Sequence, residues 1–240
     1  MAVDANIVAT AGRRKRLLVA DMESTLIRNE MLDELASMTG VGPQVAAVTA
    51  RAMNGEIDFR GSLRARIALF AGRPATLLED AARRIEPMPG AATLIATMRR
   101  HGAFTAIVSG GFTVFTGRVR RALGADHDEA NELLFDRDAL AGAVHEPILD
   151  AAGKAAALRR LAEARGLSPA DAIATGDGAN DLDMLALAGL GVAFRAKPVV
   201  ARSARVSIAH GDLTALLFLQ GYRRDAFAAP AATPDFTSPR

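Results

Sequence analysis

The sequence predicts an α/β fold: a doubly wound parallel sheet with a helical cap inserted after its first strand. Three observations carry this. Short, continuously apolar runs at 17–20, 104–108, 172–175, 191–194 and 206–208 read as buried parallel strands. From residue 88 onward, strand and helix signals alternate, as βαβ units require. Between the first two strands, residues 30–87 carry helical periodicity and no strong strand signal.

Taken in order, residues 1–13 read as a flexible tail, and residues 14–29 hold the first strand, which ends at Asp21. Over 30–38, Met31, Leu32, Leu35 and Met38 share one helical face, which Glu30, Asp33 and Glu34 avoid. Further helices are expected over 43–53 and 62–70, punctuated by Asn54-Gly55, and from Arg73-Pro74 until shortly before Pro87. The core resumes over 88–222. A helix at 91–100 turns through His101-Gly102 into the strand at 104–108. Runs at 133–135 and 141–144 flank Asp136-Arg137-Asp138 as a hairpin, and an Ala-rich helix fills 153–165. A helix over 213–219 closes the core. Residues 223–240, with three Pro and many Ala, read as a second flexible tail.

Composition narrows the function. Half of the 240 residues are hydrophobic, enough for one core domain plus a small insertion. Lys and Arg number 29 against 27 Asp and Glu, a net charge of +2, which argues against nucleic-acid binding. The absence of Trp and a single Tyr leave little surface for stacking on bases. Without Cys there are no disulfides, thiolate metal sites or Cys nucleophiles. No apolar run is long enough to span a bilayer, and residues 1–11 do not form a convincing signal peptide. A cytoplasmic enzyme acting on a small molecule, as monomer or homodimer, is the expectation. Arg13 to Arg16 read as a solvated edge before the first strand. His101, His127, His145 and His210 are scattered without metal-ligand spacing.

In such folds, binding sites lie beyond the carboxyl ends of the strands. There the sequence turns polar: Asp21-Met22-Glu23-Ser24-Thr25, Ser109-Gly110-Gly111 and Gly176-Asp177-Gly178-Ala179-Asn180-Asp181, with Lys154 near the start of its helix. Asp21 and Glu23 point the same way in extended chain, and paired carboxylates can divide labour, one ionised and one carrying a proton. Asp177 and Asp181, four apart, share a face if a helix starts at the strand end. With Asp21 they bring three or four carboxylates to one point, a hard oxygen-only donor set that suits Mg²⁺. Lys154, the Ser109 hydroxyl and the amides around Gly110 supply positive charge and donors for a phosphoryl group. Together these parts describe phosphoryl transfer through an acyl phosphate.

These four ordered segments resemble the motifs of the haloacid dehalogenase superfamily. Within it, residues 16–220 closely resemble the phosphoserine phosphatases, on Glu30 with Asp33-Glu34-Leu35-Ala36, Gly55-Glu56-Ile57-Asp58-Phe59, and Ser62-Leu63-Arg64-Ala65-Arg66. The resemblance implies hydrolysis of phosphoserine in serine biosynthesis. Asp21 would be the nucleophile and Glu23 the general acid and base. Asp21, Asp177, Asp181 and the Glu23 carbonyl would serve Mg²⁺. Ser109, Gly110, Lys154 and Asn180 would hold the phosphate, Glu30 the substrate ammonium and Arg66 its carboxylate, and Met53 and Phe59 would close an apolar wall. A fork of parallel donors on Arg66 suits a carboxylate, and Glu30 suits an ammonium. The wider pattern has Asp where this chain has Glu23, as some phosphoserine phosphatases also do. The longer acid makes the alternative a related phosphatase or phosphotransferase acting on another small phosphomonoester. With so short a stretch ahead of residue 16, the N-terminal regulatory domain that some relatives carry is not expected.

Overall fold

The structure is a computed structural model that describes residues 2–230 and 234–237. Six parallel strands form the central sheet: β1 (Leu17–Ala20), β2 (Phe104–Phe112), β3 (His127–Asn131), β6 (Ala172–Gly176), β7 (Leu190–Phe194) and β8 (Val206–Ile208), in the order β3-β2-β1-β6-β7-β8. The chain builds outward from β1 on one side and then crosses to the other, so the winding reverses at β1. A crevice at such a reversal is where open α/β sheets bind ligands. Ala20 is in register with Ile107 of β2 and Thr175 of β6, which sets Asp21 beside the ends of both.

The apolar runs are strands because both faces of the sheet are covered. Leu18, Ala20, Ile107, Ile173, Val192 and Phe194 face one core with α5 (Ala91–Arg100), α6 (Thr113–Leu123) and α10 (Ala215–Leu219). Leu17, Val19, Ala106, Ala172, Ala174 and Ala193 face the other with α7 (Ala151–Glu163), α8 (Leu182–Leu187) and α9 (Pro198–Ser203). Residues alternate between these cores with the two-residue period of a strand.

The cap comprises α1 (Met31–Thr39), α2 (Gly42–Met53), α3 (Phe59–Ala68) and α4 (Thr76–Ala82). It is anchored at its base, where the Arg28 amide donates to the Glu86 carbonyl at 2.8 Å and the Met88 amide to the Leu26 carbonyl at 2.9 Å. The helix α3 starts three residues before the expected Ser62 because the Asp58 carboxylate caps it, accepting from the Gly61 amide at 2.7 Å. A hairpin of β4 (Leu133–Asp136) and β5 (Ala139–Val144) holds the far side of the cap. The Gly72 amide donates to the Leu140 carbonyl, and the Leu140 amide to the Arg73 carbonyl, each at 2.8 Å.

Three expectations need correction. The strand β2 runs on to Phe112. The strand β3 gave no apolar signal because it is a polar edge strand, His-Asp-Glu-Ala-Asn, with water on one side. The tails expected to be flexible are tied down where the structure describes them. Asp4 accepts from the Ala209 and Gly211 amides at 2.8 and 2.7 Å, Asn6 exchanges hydrogen bonds with Ser207 of β8, and Phe236 is buried in the core. These contacts are made with residues far along the chain, so composition did not reveal them. Residues 1, 231–233 and 238–240 of those tails lie outside the described residues. Among the described residues, no helix is long and apolar enough to cross a membrane.

Candidate active site

The end of β1 carries the first functional group. Asp21 is buried, with its amide donating to the Thr175 carbonyl at 2.9 Å, and its Oδ1 accepting from the Met22 amide at 2.8 Å. The second group comes from α7, whose N-cap is Asp150, accepting from the Gly153 amide at 3.0 Å. One residue later the helix drives Lys154 into the core, where it is 0% exposed. Its ammonium lies 2.8 Å from Asp21 Oδ1 and 2.7 Å from Asp181 Oδ1. The third group follows β6. A short 3-10 turn, Ala179–Asp181, aims the buried Asp181 back at the sheet, and its second oxygen accepts from the Gly178 amide at 3.0 Å. A Cβ at Gly176 would overlap the Asp181 carboxyl, so the small residue at the strand end makes that inward turn possible.

The charges do not balance. Asp21, Asp177 and Asp181 bring carboxylate oxygens within 4.8 Å of one another, and all three residues are buried. Lys154 supplies one buried positive charge, and the exposed Lys197 reaches only to 3.9 Å from Asp177. Burial pushes the Asp21 carboxyl up to about 7, with Asp181 and Asp177 adding to the rise and Lys154 opposing it. Burial likewise raises Asp177 to about 6, against Lys197 and with Asp181 and Glu30. For Lys154, burial disfavours the ammonium, but Asp181 and Asp21 outweigh it and hold the group above the ordinary lysine range. Three crowded carboxylates with oxygen-only donors and excess negative charge fit a hard divalent cation. Asp21, Asp177 and Asp181 are the residues that would hold it.

Glu23 is half-buried at the mouth of this cluster, under α1. Its Oε1 accepts from the Met31 amide at 2.9 Å. Burial, then the charge of Glu30, raise its carboxyl to about 8; the Met31 amide opposes this, Asp21 adds to it, and Arg66 opposes it. At neutral pH this group carries a proton next to Asp21, as a general acid must. Ser24 sits at φ 52°, in the left-handed region unusual for Ser, and its hydroxyl donates to Glu30 Oε1 at 2.7 Å. The exposed Glu30 and the half-buried Arg66 thus belong to one electrostatic neighbourhood with Glu23, although Arg66 sits on α3 and Glu30 caps α1.

The remaining expected residues divide. The buried Ser109 accepts from the Gly111 amide at 3.0 Å, within the last residues of β2, where the register against β3 shifts between Val108 and Phe112. Phe59 lies over Gly110, where a Cβ would stand 3.0 Å from its ring, and the Asn180 side chain approaches the same spot. Met53 is not part of any closed wall. It is 81% exposed at the end of α2. Sequence reasoning missed Asn131, at the end of β3. Its amide donates to the Gly110 carbonyl at 2.8 Å and its oxygen accepts from the Leu149 amide at 2.7 Å. It therefore ties the Ser109-Gly110 end of β2 to the segment that launches α7 and Lys154.

The sequence model of the haloacid dehalogenase-like hydrolases matches residues 18–186. A phosphoserine phosphatase of Mycobacterium tuberculosis is 46% identical over 222 residues, covering 92% of this chain and 54% of that protein. One of Methanocaldococcus jannaschii is 37% identical over 205 residues, covering 85% of this chain and 97% of that protein. A solved phospho-aspartyl intermediate analogue of phosphoserine phosphatase superposes with a TM-score of 0.80 at 37% identity, covering 85% of this chain and 98% of that one. The chain spans 54–65% of the length of several curated relatives that it matches.

Proposed function

This chain belongs to the haloacid dehalogenase-like hydrolases, and we propose that it hydrolyses O-phosphoserine to serine and phosphate through a phosphoaspartate on Asp21, with Mg²⁺ as its metal. The observation that carries the reaction class is Asp21 at the end of the central strand, sharing the buried Lys154 with Asp181. The substrate reading is supported by relatives named as phosphoserine phosphatases that this chain nearly spans, and by the opposite charges of Glu30 and Arg66 beside Glu23.

In this reading Arg66 takes the substrate carboxylate and Glu30, steadied by Ser24, takes its ammonium. Lys154, Ser109 and the Gly110 backbone receive the phosphoryl oxygens. An Asp21 oxygen attacks phosphorus as the bond from phosphorus to the seryl oxygen breaks, and Glu23 gives its proton to that oxygen. Glu23, now ionised, takes a proton from water as the water oxygen attacks phosphorus, and the acyl-phosphate bond to Asp21 breaks. A bound Mg²⁺ would neutralise the carboxylates of Asp21, Asp177 and Asp181 and stabilise charge on the phosphoryl group. Phe59, packed on Gly110, excludes water from that side of the pocket.

The test is phosphate release from L-phosphoserine, phosphothreonine, phosphotyrosine and glycerol phosphate, with Mg²⁺ and with EDTA. Phosphoserine should be preferred by at least about tenfold in kcat/KM, and EDTA or Asp21→Asn should abolish turnover. Equal turnover across the panel would refute the substrate, and full activity in Asp21→Asn would refute the mechanism.

A further inference from the structure

Glu23 is held more tightly than an exposed acid would be. Its Oε1 is tethered to the Met31 amide at 2.9 Å, at the start of α1. Its carboxyl group also lies against the end of β2. A Cβ built on Gly111 would stand 3.2 Å from the Glu23 carboxyl carbon and 3.2 Å from each of its oxygens, and these are the three atoms nearest to it. Equal distances to all three atoms place that methyl over the face of the carboxyl plane. Carbon contacts are ordinarily about 3.5–4.0 Å, so the acid would have to withdraw. A shift of the acid would disturb its hydrogen bond from the Met31 amide. Glycine is not required here by the backbone, since the Gly111 φ lies outside the left-handed region. The adjacent Gly110 clears space for a different partner, the Phe59 ring.

We propose that Gly111 is a positioning residue: having no side chain, it lets the Glu23 carboxyl lie flat against the end of β2 and reach the leaving oxygen. This rests on Glu23 being the general acid. An aspartate would be shorter by one carbon–carbon bond, about 1.5 Å, and would leave room for a methyl group at residue 111.

The experiment compares phosphoserine turnover in wild type, Gly111→Ala, Glu23→Asp and the double variant, with Glu23→Ala as reference. In the wild-type background, Gly111→Ala should lower kcat by at least about tenfold, and KM should change by less than about threefold, because a displaced acid affects the chemical step. In the Glu23→Asp background, the same alanine should cost less than about threefold. An equal loss in both backgrounds would overturn the proposal, since the methyl would then be meeting something other than the longer acid. Should Gly111→Ala fail to fold, recovery of folded protein in the double variant supports the proposal, and failure of the double variant to fold overturns it. Glu23→Ala tests the underlying reading separately. A loss of about a hundredfold or more is expected; full activity there would remove the acid role itself, whatever Gly111→Ala does.

Discussion

The buried carboxylates should make the metal-free protein less stable as pH rises, and Asp21→Asn should reverse this. The folded Asp21 carboxyl sits at about 7, whereas in the unfolded chain it titrates near 4. Between those values the folded state keeps a proton that the unfolded state has lost, so stability falls as pH rises through this window. Three pH units at about 1.4 kcal/mol each give a penalty of about 4 kcal/mol above pH 7. Asn is the neutral analogue and escapes that penalty. Some of the gain is offset, because Lys154 keeps only Asp181 as a charged partner and the new amide must find acceptors. A net gain of about 2–4 kcal/mol at pH 8 corresponds to a Tm rise of about 4–8 °C for a chain of this size. At pH 5, wild-type Asp21 is protonated in the fold, only about one pH unit of the penalty remains, and the gain should shrink to at most about 1.4 kcal/mol. Asp177, raised to about 6, adds slope of the same sign in both proteins. The assay is calorimetric melting in EDTA at pH 5 and pH 8. Adding Mg²⁺ at pH 8 should close the gap by binding the wild-type fold. An unchanged or lowered Tm for Asp21→Asn in EDTA at pH 8 would show that the cluster is not electrostatically frustrated.

Arg66→Ala should lower kcat/KM for phosphoserine by about a hundredfold, the loss expected for an unpaired substrate carboxylate, while leaving phosphoethanolamine, which lacks that carboxylate, within about threefold. Asp150 pairs with Arg60 of α3 at 2.7 Å and also caps α7. Asp150→Asn keeps the cap and removes the charge. It should cost less than about 1 kcal/mol and speed amide exchange in α3 at low salt, with the difference from wild type vanishing in 0.5 M NaCl.

How much of this was legible depended on how local each signal was. An apolar run that stops at an acid, as at Ala20-Asp21 and Gly176-Asp177, announces a strand end and its site with neighbouring residues alone. The order of the sheet then brings those ends together, and that order came from the structure, since the alternation of elements implied only a parallel sheet. Lys154 was legible as a residue of interest, but its burial between Asp21 and Asp181 was not, because it depends on the depth at which α7 packs. Met53 failed in the opposite way. Its place near the end of α2 was readable, yet its exposure to solvent there was not. Asn131 is the plainest case. It sits on a polar edge strand with no apolar pattern, and both of its partners are backbone groups, the Gly110 carbonyl and the Leu149 amide. Backbone partners exist at every residue and leave no mark in a sequence, so a side chain that positions a site through them can be found only once the chain is folded. Gly111 belongs to the same class: its meaning is the space it leaves, and that space is defined by Glu23, 88 positions earlier in the chain.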